Sequence, residues 1–446
     1  MHPTIPAATS LFGMSAMWVA IVLFVVTYLV IMSEKVNRAI IALLGAGALI
    51  LLRIVGQEEA MHAVDFNTLG LLLGMMLIVN VTRRSGLFQY VAIWATKKVN
   101  ARPWGILVVM SLVTAFFSAF LDNVTTVLLT VPVTLLITEQ LGVKPYPYLF
   151  AQIFASNIGG TATLIGDPPN IMIGSATGLT FNDFAWHLTP IIIVVMAVTL
   201  VPLYFVWGKH LVASEEHRKR VMGFNEREAI TDPRLLKQSL TVIALVIIGF
   251  MAQRVIGIEP ATIAIFGAAV LLLIDNLGRD AETQTHNVAS ALSEAEWITL
   301  MFFLGLFVLV HGLVKTGVIS LLAEDLLRLT QGNFQVTTIA VLWASAVLSA
   351  FIDNIPFVAT MIPLIKATGP TFGGDAALLP LWWALSLGAC LGGNGTLIGA
   401  SANLVVAGLA ARAGVHFRFL TYLKVAFPLM LISIAISHAY LYLRYL

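Results

Sequence analysis

Long apolar runs separated by short polar stretches dominate this chain. Runs able to cross about 30 Å of hydrocarbon fall at 11–32, 38–55, 66–82, 146–177, 187–208, 238–254, 260–276, 297–314, 381–410 and 420–442. Two more, 103–138 and 334–368, are interrupted at their centres by an Asp-Asn pair. The one sizeable polar segment, 209–237, reads as a loop or surface helix joining two halves. Segment 86–98 is amphipathic and ends in Lys97 and Lys98, the pattern of an interfacial helix rather than a span. Spanning segments must satisfy their own backbone groups, so the expected fold is an all-α polytopic membrane protein.

The two halves read as copies. SAFLDNVTTV at 118–127 returns as SAFIDNIPFV at 349–358, and GGTATLIGDPPN at 159–170 returns as GGNGTLIGASAN at 392–403. These offsets are 231 and 233, and Asp65, Thr68, Gly74 and Gly86 meet Glu296, Thr299, Gly305 and Gly317 at 231. The expected organisation is a first repeat over 1–208, a linker over 209–237 and a second repeat over 238–446. Charge sets the orientation. With five crossings per half, Asp-Asn hairpins that enter and leave on one side, and a cytoplasmic linker, most of the 25 Lys and Arg residues lie inside, Arg38 among them. The outer side keeps Arg53, Arg254, Lys315, Arg328, Lys366 and Arg444. That bias has the sign of the positive-inside rule. An odd number of crossings makes the repeats inverted and places both termini outside.

Composition narrows the function. Of 446 residues 59% are hydrophobic and 11% charged, against roughly a quarter charged in soluble domains. Mean hydropathy of +0.93 leaves no room for a large water-soluble domain. A net charge of +2 implies no nucleic-acid partner. The single cysteine, Cys390, excludes a disulfide framework and a three-thiolate site within one chain. The opening MHPTIPAATS carries no Lys or Arg, so the basic n-region of a signal peptide is missing and the first run is expected to remain a span. No GxxxxGK[ST] loop is present, so the chain is not expected to hydrolyse ATP, nor to be an enzyme, and no cofactor or metal is called for.

The candidate chemistry is intramembrane. Asp122-Asn123 and Asp353-Asn354 sit where a carboxylate costs at least a few kcal/mol, and their flanks lack the Gly, Pro and Lys of an aqueous turn. Asp122 and Asp353 are the expected proton or ion carriers. Around Gly159, Gly160, Gly166, Pro168 and Pro169 a helix should break, freeing carbonyls and amides toward a cavity. The second copy keeps Gly392, Gly393, Thr396, Gly399 and Asn403, but has Asn394 for Thr161, Ala400 for Asp167, and Ser401 and Ala402 for the two prolines. Substrate contacts are expected from Asn123, Thr125, Thr126, Asn157, Gly159, Gly160, Thr161, Thr163, Asp167 and Asn170, and from Asn354, Gly392, Gly393, Asn394, Thr396 and Asn403. Cys390 and His311 read as packing.

SAFLDNVTTVLLTVPVT together with GGTATLIGDPPNIMIG resembles the ArsB/NhaD ion transporter superfamily, in particular the branch of bacterial arsenite permeases and the pink-eyed dilution P protein. Both motifs occur in both repeats, so the resemblance spans the chain. It implies a scaffold and a transport domain, with re-entrant hairpin tips at 121–126 and 352–357 and broken helices at 157–170 and 392–403. Sodium–dicarboxylate relatives carry Ser-Asn-Thr at the tips. Asp122 and Asp353 in place of that Ser favour proton coupling or antiport. The resemblance implies proton-coupled efflux of arsenite or antimonite across the bacterial cytoplasmic membrane, and permits a soluble ATPase partner and a homodimer. A sodium–proton antiporter, an anion permease and, from another class, an intramembrane aspartyl enzyme are the alternatives.

Overall fold

A computed structural model describes residues 14–33 and 35–446; the leading segment read as lacking a basic n-region lies outside them. The described chain is helical, and eight of its helices are long and apolar enough to cross a membrane. Every apolar run becomes a helix, or two helices where polar or Gly-rich residues interrupt it. The first Asp-Asn run forms a hairpin with arms Pro103–Ser118 and Asn123–Leu141, and the second forms arms Phe334–Phe351 and Asn354–Ala367. The Gly-rich runs form broken helices, Tyr146–Gly160 with Pro168–Thr177 and Leu379–Gly392 with Ser401–Arg412.

Both the turns and the breaks are tighter than the sequence implied. Helix resumes at Asn123 and Asn354, immediately after each aspartate, because Asp122 and Asp353 are N-caps whose carboxylates accept from backbone amides of the next turn. The breaks are confined to 161–167 and 393–400.

Positions 231 to 233 apart make the same bonds in the two halves. Ser118 Oγ donates to Ser156 O at 2.6 Å, and Ser349 Oγ to Ala389 O at 2.7 Å. Thr163 Oγ donates to Ala119 O, and Thr396 Oγ to Ala350 O, tying each break to the turn of its own hairpin. Gly86 and Gly317 both open a surface helix, Leu87–Lys98 and Val318–Leu329, at φ of 81° and 82°, where a side chain is strained. Contacts between the halves are reciprocal. Phe66–Arg83 packs on Pro260–Asn276, and Arg38–Leu51 packs on Trp297–Lys315. The crossings are close because Gly74 and Gly305 leave no gap: a Cβ would lie 2.6 Å from Ala264 C and 2.5 Å from Ala42 C. The second arm of each hairpin touches the second half of the other copy's broken helix.

The polar linker is docked. Lys97 Nζ meets Glu226 at 2.5 Å, Arg218 donates to Asn100 O at 3.0 Å, and Thr231 N donates to Ser85 O at 3.1 Å. The Lys97 hydrogen bond holds the Glu226 carboxyl below its ordinary range. Helix Pro233–Met251 then starts on an Asp232 cap with Pro at its first position. Helices Gln57–Ala63, Ala281–Ser293 and Val318–Leu329 escaped the hydropathy reading because they are short or amphipathic.

Gly159 is set against the first hairpin arm, where a Cβ would lie 2.1 Å from Ala115 O, whereas Gly408 has open space around it. Gly159→Ala should therefore destabilise the detergent-solubilised protein by about 1–3 kcal/mol. Gly408→Ala should be neutral or stabilise by about 0.5–1 kcal/mol, since alanine favours the helix. Thermal unfolding of the two variants checks this pair.

Candidate functional site: an acidic cavity between helix N-termini

Four helices begin at one place, and each begins with a carboxylate. Asp122, Asp167, Glu296 and Asp353 are the N-caps of Asn123–Leu141, Pro168–Thr177, Trp297–Lys315 and Asn354–Ala367. A helix N-terminus carries partial positive charge and unpaired amides, which is how a carboxylate is tolerated at such depth. Asp122, Asp167 and Glu296 line one narrow cavity with Arg38, Asn123, Thr299, Asn354 and Ser401, walled by Leu72, Met76, Val124, Pro168 and Ile355.

The carboxylates have different partners. Asp122 accepts from Thr125 N at 2.8 Å and Thr125 Oγ at 2.5 Å. Glu296 accepts from Thr299 Oγ at 3.1 Å. Asp353 accepts from Ile355 N at 3.1 Å, Ser401 Oγ at 2.9 Å and Arg38 Nη1 at 3.0 Å. Arg38 also donates to Ser401 Oγ at 2.5 Å and Thr299 Oγ at 3.0 Å, and lies 5.1 Å from the Phe302 ring centre. One guanidinium thus joins the second hairpin, the second broken helix and the helix that starts at Trp297. On its far side a wider, more open pocket is lined by Tyr28, Met32, Asn37, Asp353 and Pro356. The Arg38–Asp353 pair separates the two spaces.

A second layer lies behind the cavity. Asn123 Nδ2 donates to Asn157 Oδ1 at 3.1 Å, and Asn157 Nδ2 donates across the halves to Asn394 at 2.9 Å and Asn403 at 3.0 Å. Asn403 donates to Gly393 O and Thr396 O, and Asn170 donates to Thr161 O and Thr163 O, so each asparagine satisfies the carbonyls of its own break. Thr161 Oγ is spent on Asn157 O, and Thr126 Oγ is buried without a partner. Gly159, Gly160, Gly392 and Gly393 permit backbone to approach backbone: a Cβ would meet Ala115, Gly166, Ala346 and Gly399.

Of the residues expected to bind substrate, then, Asn123, Asp167 and Asn354 face the cavity. Thr125 reaches its edge through Asp122. Asn157, Asn170, Asn394, Asn403, Thr161, Thr163 and Thr396 hold the frame. Arg38, Glu296, Thr299 and Ser401 were missed. Arg38, counted among the charges of the cytoplasmic side, has a side chain only 23% exposed and paired with Asp353. Glu296 and Thr299 were visible as repeat partners of Asp65 and Thr68, yet their spacing alone carried no sign of a cavity.

Residues 28–388 match the citrate transporter family (CitMHS). The chain belongs to that family. An uncharacterized transporter of Mycobacterium tuberculosis is 43% identical over 96% of this chain and 98% of its own length. The P protein of Mus musculus is 34% identical over 96% of this chain and 60% of its own length. Among solved structures, Neisseria gonorrhoeae MtrF, described within a class of antimetabolite efflux pumps, has the same fold at a TM-score of 0.58. It is 13% identical and covers 96% of this chain and 94% of its own. This member of the citrate transporter family is a multi-pass membrane transporter and not an enzyme.

Arg38→Ala would strand Asp353, and a loss of about 1–3 kcal/mol of stability is expected for removing a charged hydrogen-bonding partner. Arg38→Ala combined with Asp353→Asn should lose less than the sum of the single losses. A double-mutant cycle on unfolding of the solubilised protein reads the coupling.

Proposed function

We propose that the chain is a proton-coupled secondary transporter of the bacterial cytoplasmic membrane, passing a small oxygen-rich solute through the acidic cavity by alternating access. The observation that carries this reading is the convergence of four carboxylates and one arginine at helix N-termini deep in an otherwise apolar protein. Such groups at membrane depth serve ion pathways and proton relays. Reciprocal contacts between the halves support an inverted pair of five-span repeats with re-entrant hairpins, a cytoplasmic linker and external termini. In this reading the acidic cluster takes up protons from one side, with Asp122 and Asp353 required for coupling, and the Arg38–Asp353 pair parts as the cavity opens.

The solute that suits the lining is a small uncharged hydroxylated acid such as arsenite or antimonite, exchanged for protons. Arg38, Asn123, Asn354, Thr299 and Ser401 offer donors, and the carboxylates accept from its hydroxyls. The family description favours a second reading, an organic acid such as citrate. Its carboxylates face a lining with one arginine and three acids, so it would enter with its charge offset by protons or a cation.

Proteoliposomes with an imposed pH gradient decide between them. Arsenite flux that needs the gradient and is lost in the Asp122→Asn, Asp353→Asn double variant is the expected result. Gradient-driven citrate flux without arsenite flux establishes the second reading. Sodium flux with neither solute leaves a sodium–proton antiporter, and voltage-driven anion current without proton movement leaves an anion permease.

A further inference from the structure

Three of the four carboxylates are committed to donors, as described above, and the fourth is not. Asp167 is fully buried and faces the cavity, yet it makes no capping bond to the helix it begins. The sequence explains why. An N-cap carboxylate accepts from the amides two and three residues on. Pro168 and Pro169 remove the first two amides of this helix, and the third, Asn170 N, bonds to the Asp167 carbonyl instead. The side-chain neighbours that remain are neutral: the Asn354 amide at the long distances of 3.4 and 3.5 Å, and the Cys390 thiol. Among the described residues no Lys, Arg or His lies within ion-pair distance of it. The one guanidinium in the cavity, Arg38, is turned to Asp353.

The groups that face Asp167 from the packed elements are therefore Arg38, Asp122, Glu296, Asp353 and Cys390, and the carboxylates among them repel a further negative charge. A buried carboxylate without a countercharge persists in such a place only with a proton on it or a cation beside it. The duplication sharpens this. The equivalent position in the second copy is Ala400, and the equivalents of the two prolines are Ser401 and Ala402. The prolines and the carboxylate occur together in one copy and are absent together from the other. In the second copy Ser401 instead bonds Asp353, so the two half-sites have divided the work.

We propose that Asp167 is the group that carries the coupling proton, one per chain, while Asp122 and Asp353 act as positioning residues through Thr125 and Arg38. The proposal deepens the proton-coupled reading and rests on it for its place in the cycle. The step is a simple proton transfer: an O–H bond forms on an Asp167 oxygen as water on one side gives up a proton, and the same bond breaks to water on the other side. No oxidant or reductant is involved.

Infrared difference spectroscopy of the purified full chain in proteoliposomes, titrated with pH, reads the proton directly through the carbonyl stretch of a protonated carboxyl. The expected result is a titrating acid band that is lost in Asp167→Asn and retained in Asp122→Asn, Asp353→Asn and Glu296→Gln. A wild-type spectrum without such a band, or a band that survives Asp167→Asn, overturns the proposal. Should Asp167→Asn fail to fold, Asp167→Glu supplies the test: its band must shift in frequency and midpoint, and an unshifted band overturns the proposal. The infrared result does not depend on the solute. A wild type that shows the band but no gradient-driven flux of arsenite or citrate strikes the transport reading and leaves Asp167 as the proton site. Gradient-driven flux that persists in Asp167→Asn strikes this proposal and leaves the transport reading intact.

Discussion

A carboxylate taken from water into a membrane protein must be given a donor, a cation or a proton, and this structure depends on how each of four carboxylates meets that demand. Helix N-termini are the common answer. Asp122, Asp167, Glu296 and Asp353 each start a helix, and the hairpins and breaks bring those starts to one cavity. The hairpin arms and broken helices are thus a means of ending apolar helices in mid-protein, so that their charged termini face one another rather than lipid. The asparagine layer behind them satisfies the carbonyls that the breaks set free.

The two halves share a frame and differ in their charged groups. Ser118 and Ser349, Thr163 and Thr396, Gly74 and Gly305 do the same things in their own halves, all of them structural. The charged groups break the symmetry. Asp167 has Ala400 as its equivalent in the second copy, and Ser401 takes the place of Pro168. Among the described residues the arginine that pairs with Asp353 has no counterpart at Asp122, whose carboxylate is held by Thr125. In the proposed cycle one half holds the Arg38–Asp353 ion pair while the other holds a carboxyl free to change state.

The fold was legible because apolar runs and their interruptions dictate where helices start and stop. Asp122 and Asp353 marked the hairpin turns, and the Gly-Gly and Pro-Pro pairs marked the first break. The frame residues were also legible: Asn157, Asn170 and Asn403 stood out because polar groups at depth need partners, and here they bond backbone carbonyls and one another. Arg38 was invisible as a site residue because a charge next to an apolar run reads as a loop charge. Only the packing of Arg38–Leu51 on Trp297–Lys315 turns it inward. Glu296 needed the same contact, which no spacing in the chain reveals. The amphipathic helix Ala281–Ser293 carries too little hydropathy to be seen from composition.

In the proposed cycle the Arg38–Asp353 pair closes the cavity, which opens when the helix pair carrying Tyr28 and Arg38 separates from the second hairpin. Tyr28 Oη donates to Pro356 O at 2.9 Å across that boundary. A Tyr28→Cys, Pro356→Cys variant joined by a reducible cross-linker, in a chain whose single native cysteine is buried, tests it directly in proteoliposomes. The linked protein should stop carrying solute, and reduction should restore the flux. Undiminished flux with the link intact would contradict it.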